Sequence, residues 1–115
     1  MFQFEKLILY DQAVNFSKYI YTLTKKFPKD EIFGLTNQLR RAAVSISLNI
    51  AEGSSRGKKD FSHFLDLSRG SCFECVAALK IAKGCGYIID DEYNQNYQKC
   101  EEISRMISGL KKSLL

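Results

Sequence analysis

Tryptophan is absent from the 115 residues, proline occurs once, at Pro28, and histidine once, at His63. A lone histidine excludes a histidine-rich metal centre and gives general acid–base chemistry few partners. A single proline leaves long stretches free to be helical. No uninterrupted apolar run approaches the ~20 residues that a membrane span requires. The start, Met1-Phe2-Gln3-Phe4-Glu5-Lys6, lacks the basic opening and long apolar run of a signal peptide, so a cytoplasmic protein with no membrane partner is expected. Strong charge of one sign is missing too. The 17 lysines and arginines stand against 13 acids, a formal net charge of +4, which permits binding to a polyanion without demanding it. Four cysteines suggest a disulfide framework only in a short secreted chain, and nothing here points to secretion.

What is present is helical periodicity. Leu9, Ala13, Phe16, Ile20, Leu23 and Phe27 are spaced 4, 3, 4, 3, 4, one face of a helix over about 8–27 that Pro28 terminates. Asp30 suits the N-cap of a second helix over about 31–53, with Leu35, Leu39, Ala42, Ala43, Ile46 and Ile50 inward and Gly53 at its end. A third, about 58–84, turns Phe61, Phe64, Leu65, Ser68, Cys72, Cys75, Val76 and Leu79 inward and closes at Gly84-Cys85-Gly86. Asp90 or Asp91 then caps a fourth, about 91–113, with a seam of Tyr93, Tyr97, Cys100, Ile103, Ile107, Leu110 and Leu114. No segment alternates with period two. An all-α, antiparallel up-down-up-down four-helix bundle forming one domain over 1–115 is therefore expected.

The second helix carries more than a core face. Opposite its buried arc lie Phe33, Val44, Leu48 and Ala51, echoed on the first helix by Tyr10, Val14 and Tyr21. Scattered surface apolar residues are common, but a stripe on the far side of an amphipathic helix asks for a partner, and a homo-oligomer interface is the expectation. Between the two apolar stripes runs a polar ribbon of Gln38, Arg41, Ser45, Asn49, Glu52 and Arg56. With no histidine nearby to activate a nucleophile, it reads as a structural network that sets helix register.

Catalytic motifs fail on inspection. Cys72-Phe73-Glu74-Cys75 is a C-x-x-C, but it falls inside a helix with both sulfurs inward, where thiols act as core filler rather than redox groups. No second cysteine pair completes a zinc site. His63 sits beside Asp66 on a polar face without further partners. No phosphate-binding glycine loop and no catalytic triad is present, so neither catalytic residues nor a cofactor are expected.

Antiparallel topology would gather Lys6, Arg56, Lys58, Lys59, Lys111 and Lys112 at one pole against Glu5, Glu52 and Asp60, a net +3. Lys58 and Lys59 would oppose the macrodipole at a helix N-terminus, a conflict that a bound phosphate relieves. Arg56, Lys58, Lys59, Lys111 and Lys112 are thus candidate contacts to an RNA or DNA backbone. The alternative is a protein-interaction scaffold whose basic pole serves solubility alone.

Leu35-Thr36, Gln38, Arg41-Ala42-Ala43-Val44-Ser45-Ile46 and Asn49-Ile50-Ala51-Glu52-Gly53 resemble the signature of the 23S rRNA-intervening sequence proteins. Phe27-Pro28, Gly70-Ser71 with Glu74, and Gly86-Tyr87 extend the likeness over nearly the whole chain. The resemblance implies a four-helix bundle assembled as a ring-shaped homopentamer. It also implies kinship with the accessory variability protein of diversity-generating retroelements, a basic pentameric barrel that binds nucleic acid and a reverse transcriptase. Two departures stand out. Ser47-Leu48 replaces the family's Pro-Ser, which should leave the helix straighter and more apolar there. Cys72 and Cys75 replace larger aliphatics.

Overall fold

A computed structural model describes residues 1–115. Four helices, α1 Ile8–Thr24, α2 Leu35–Ser54, α3 Lys58–Gly84 and α4 Asp90–Ser113, make up the chain with two short 3-10 turns, Gln3–Lys6 and Lys29–Glu31, and no strand. None is long and apolar enough to cross a membrane. Contacts run α1 to α2, α2 to α3, α3 to α4 and α4 back to α1, with no diagonal pair, so the helices stand at the corners of a square. Consecutive helices are antiparallel: Lys111 at the end of α4 bonds Asp66 near the start of α3, and Lys26 just past α1 pairs with Glu92 at the start of α4. The 27-residue α3 spans ~40 Å at 1.5 Å per residue, the long dimension of a body measuring 42 × 22 × 20 Å.

The core is the apolar arc of each helix. Leu9, Ala13, Phe16 and Ile20 from α1 meet Leu39, Ala43, Ile46 and Ile50 from α2, Leu65, Cys72, Cys75 and Leu79 from α3, and Cys100, Ile103 and Ile107 from α4. Each large member contributes roughly 1.5–3 kcal/mol through burial. Tyr97 departs from the seam expected of α4: it is exposed, and the buried position beside it belongs to Asn96, whose amide nitrogen satisfies itself on the Glu92 carbonyl at 2.8 Å.

Helix boundaries differ from the periodic reading where side chains intervene. α1 ends at Thr24 rather than near Phe27. Lys25 and Phe27 donate their N–H groups to the carbonyls of Thr22 and Thr24, three residues back, in tightened turns before Pro28. Phe27 stays buried all the same. α2 starts at Leu35, four residues later than expected, and its cap is not Asp30. Glu31 Oε1 accepts the Leu35 N–H at 3.1 Å across the non-helical Gly34. In α4, Asp90 is the first helical residue, and Glu92 accepts the Ile89 N–H at 3.0 Å.

Gly53 does not stop α2; it lies inside the last turn, buried. A Cβ there would stand 2.6 Å from Phe64 Cβ and 2.9 Å from Phe61 Cδ1, so glycine is what lets the ends of α2 and α3 approach. At the far end of α3, Gly86 adopts φ 78°, and the N–H groups of Gly86 and Tyr87 bond the Lys83 and Ala82 carbonyls, the left-handed termination anticipated for this turn.

Candidate functional site

The basic pole forms where the α2–α3 turn, the start of α3 and the end of α4 converge. Lys58 and Lys59 open α3 behind Gly57, and no side chain caps that N-terminus, so its first N–H groups face outward beside two cations. Lys111 and Lys112 occupy the last turn of α4, where positive charge agrees with the macrodipole. The six cations are not equivalent. Arg56 Nη2 bonds Glu52 Oε1 at 2.6 Å and its guanidinium lies 5.1 Å from the Phe64 ring centroid. The Glu52 carboxylate holds Arg56 above its ordinary pKa. Lys111 Nζ bonds Asp66 Oδ1 at 2.7 Å, so the acid expected beside His63 serves a lysine 45 residues away. Lys6, Lys58, Lys59 and Lys112 have no ion-pair partner.

The polar ribbon of α2 resolves into parts. Asn49 Nδ2 donates to the Ser45 carbonyl at 2.9 Å and to Ser45 Oγ at 3.0 Å, and Ser71 Oγ from α3 bonds Ser45 Oγ at 3.0 Å. Glu52 joins Arg56 instead. Gln38 and Arg41 are exposed and line an open polar groove between α2 and α3 with Ser71 and Glu74. Periodicity along α2 could not reveal Ser71 as the partner, because the bond crosses to another helix.

The second apolar stripe is likewise rearranged. Phe33 lies in the turn before α2, not on the helix, and is 93% exposed. It nonetheless joins half-buried Val44 and 61%-exposed Leu48 in one groove between α1 and α2, with Tyr21, Arg40 and Arg41 on its walls. Ala51 is half-buried and outside that groove. On the opposite side of the square, Phe73, Val76, Ala77 and Tyr97 form an apolar groove between α3 and α4, flanked by Glu101 and Arg105.

Three of the four thiols are placed as inert groups. Cys72, Cys75 and Cys100 are buried and Cys85 is exposed, all four free. Burial pushes the Cys72 thiol up to about 12, and raises Cys75 and Cys100 as well. No three or more His, Cys, Asp or Glu side chains are grouped to hold a metal ion.

The four helices thus form a bundle that carries a charged pole and two apolar flanks. The family model described as 23S rRNA-intervening sequence protein matches residues 5–109, and the chain belongs to that family. Among solved structures it is similar to a protein of unknown function from the S23 ribosomal protein family of Bacteroides thetaiotaomicron VPI-5482. The identity is 22%, the TM-score 0.84, and the match covers 91% of this chain and 99% of that one, a likeness of fold. No curated protein matches the chain.

Proposed function

We propose that this protein is a non-enzymatic, cytoplasmic assembly factor that closes into a homo-oligomeric ring and binds RNA or DNA through its basic pole. One observation carries the nucleic-acid reading: Lys58 and Lys59 stand unpaired at a helix N-terminus with no side-chain cap, with Lys112 at the same pole. Phosphates would meet both lysine charge and free N–H groups there, an arrangement that positions a backbone without reading bases. Arg56 and Lys111 join by exchanging Glu52 and Asp66 for phosphate oxygens.

The ring reading rests on the two apolar grooves. Because they lie on opposite sides of the square, they suit head-to-tail association, the heterologous contact that generates rings when its rotation closes. Five subunits is the number that the family likeness suggests, and repeating the pole around a ring multiplies a modest charge.

Charge reversal at both Lys58 and Lys59 should weaken duplex binding several-fold and reduce the slope of log affinity against log salt, by roughly 0.9 for each phosphate that is no longer neutralised. Unchanged affinity and slope in a salt titration rule the site out. For the assembly, Leu48→Glu should convert the oligomer to a monomer in light scattering; a wild-type monomer at micromolar concentration refutes the ring.

A further inference from the structure

The outer grooves of the square alternate in character: apolar between α1 and α2 and between α3 and α4, polar between α2 and α3 and between α4 and α1. Head-to-tail contact through the apolar pair leaves the α1–α4 groove open to solvent. It is a cleft of ≈ 750 Å³ walled by Asn15, Lys18, Thr22 and Lys26 from the α1 side and by Gln95 and Asn96 from α4. Lys26 is ion-paired with Glu92, which neutralises the one carboxylate in the lining. Lys18 is exposed and has no such partner.

Tyr19 contributes a flat surface. Tyr19 is 56% exposed and is the only aromatic residue in the cleft, and Lys99 Nζ from α4, outside the cleft lining, lies 4.5 Å from its ring centroid. Amide donors from Asn15 and Gln95 face the same space. A free lysine, an aromatic ring backed by a cation and several amides, with the acid cancelled, match a ligand that is anionic at one end and planar at the other.

We propose that the α1–α4 cleft holds one unpaired nucleotide of a single-stranded nucleic acid, its phosphate on Lys18 and its base against Tyr19. This rests on the nucleic-acid reading above but concerns a separate place: Lys18 lies 10 residues, ~15 Å of helical rise, beyond Ile8, where α1 begins at the basic pole. Stacking on one ring tolerates any base, so the cleft selects unpaired over paired strands rather than sequence.

The test compares a short single-stranded oligonucleotide with a duplex on wild-type protein, Lys18→Glu, Tyr19→Ala and the Lys58→Glu/Lys59→Glu pair, with folding checked by circular dichroism. Tyr19→Ala should weaken single-strand binding about tenfold, in keeping with the removal of one stacked base. Lys18→Glu should weaken it at least several-fold, and neither should alter duplex binding. The Gln95 side-chain amide should shift in NMR spectra on adding a nucleoside monophosphate and stay still with inorganic phosphate. Single-strand binding unaffected by both cleft variants overturns the cleft and leaves the pole intact. Equal shifts with inorganic phosphate overturn it in favour of a simple anion site. Failure of the wild-type protein to bind either nucleic acid overturns both readings.

Discussion

The two ends of the bundle are built by opposite rules. At the end holding the α1–α2 and α3–α4 connections, loops are tied to one another by side chains. Glu31 caps α2 through one oxygen and accepts the Tyr87 hydroxyl at 2.8 Å through the other, Tyr87 packs on Phe27, and Lys26 and Lys83 pair with Glu92 and Asp90. At the opposite end, close packing at Gly53 does the joining, Arg56 and Lys111 are paired, and Lys58 and Lys59 stand against the helix dipole with Asp60 the one acid in that first turn. One end is tied together by side-chain bonds; the other places two unpaired lysines at a helix N-terminus, with Asp60 between them and the rest of the helix.

The strongest way to break this contrast is Gly53→Ala. The added carbon meets Phe64 Cβ, which cannot rotate away, so the ends of α2 and α3 must separate at a cost of about 1–3 kcal/mol, read as a lower midpoint in denaturant. An unaltered midpoint would mean that the basic end is loosely packed.

Next comes the tied end and its pH dependence. The Tyr87 hydroxyl and the Leu35 N–H hold the Glu31 carboxyl below its ordinary value of 4.5, and Lys26 and the Ile89 N–H do the same for Glu92. Stabilisation from these acids is complete above the unfolded value near 4.5 and is lost as pH falls through the lowered folded values. Tyr87 is pushed from 10.0 up to about 12, chiefly by the hydrogen bond to Glu31, so its share is complete below pH 10 and is lost as pH rises toward 12. Tyr87→Phe should lower the melting temperature at neutral pH and flatten the alkaline decline. A variant as pH-sensitive as the parent between about pH 9 and 12 would separate that decline from this bond.

The smallest effect should have the opposite sign. Replacing Lys58 and Lys59 with glutamine removes two charges that oppose the α3 dipole and should stabilise the fold by about 0.3–1 kcal/mol each at low salt, while weakening polyanion binding. Stability gained where binding is lost would sharpen the contrast; destabilisation would mean that the lysines serve the fold. A thiol reagent adds a control: Cys85 should react at once in the native state, and Cys72, Cys75 and Cys100 only on unfolding.

Much of the architecture is legible in the sequence because helical burial is a local, periodic property. The spacing of Leu9, Ala13, Phe16 and Ile20, or of Cys100, Ile103 and Ile107, specifies an inward face before any partner is known. Turn chemistry is legible at Gly86, where only a left-handed residue suits the termination, but not at Gly53, whose reason is the neighbouring helix. The spacing of Phe33 fits a helix, yet the Glu31 cap starts α2 later and leaves that ring in the turn.

By itself, then, the order of residues determined four amphipathic helices, their inward stripes, the surplus apolar residues on α2 and the family to which the chain belongs. Tertiary structure alone decided which cations are neutralised, that Ser45 bonds Ser71, that Tyr87 reaches Glu31, and that polar and apolar grooves alternate around the square. The physical reason is range. Periodicity records which way a side chain points from its own helix axis, whereas a hydrogen bond or a groove depends on the rotation and offset of two helices distant in sequence, fixed only when their faces pack.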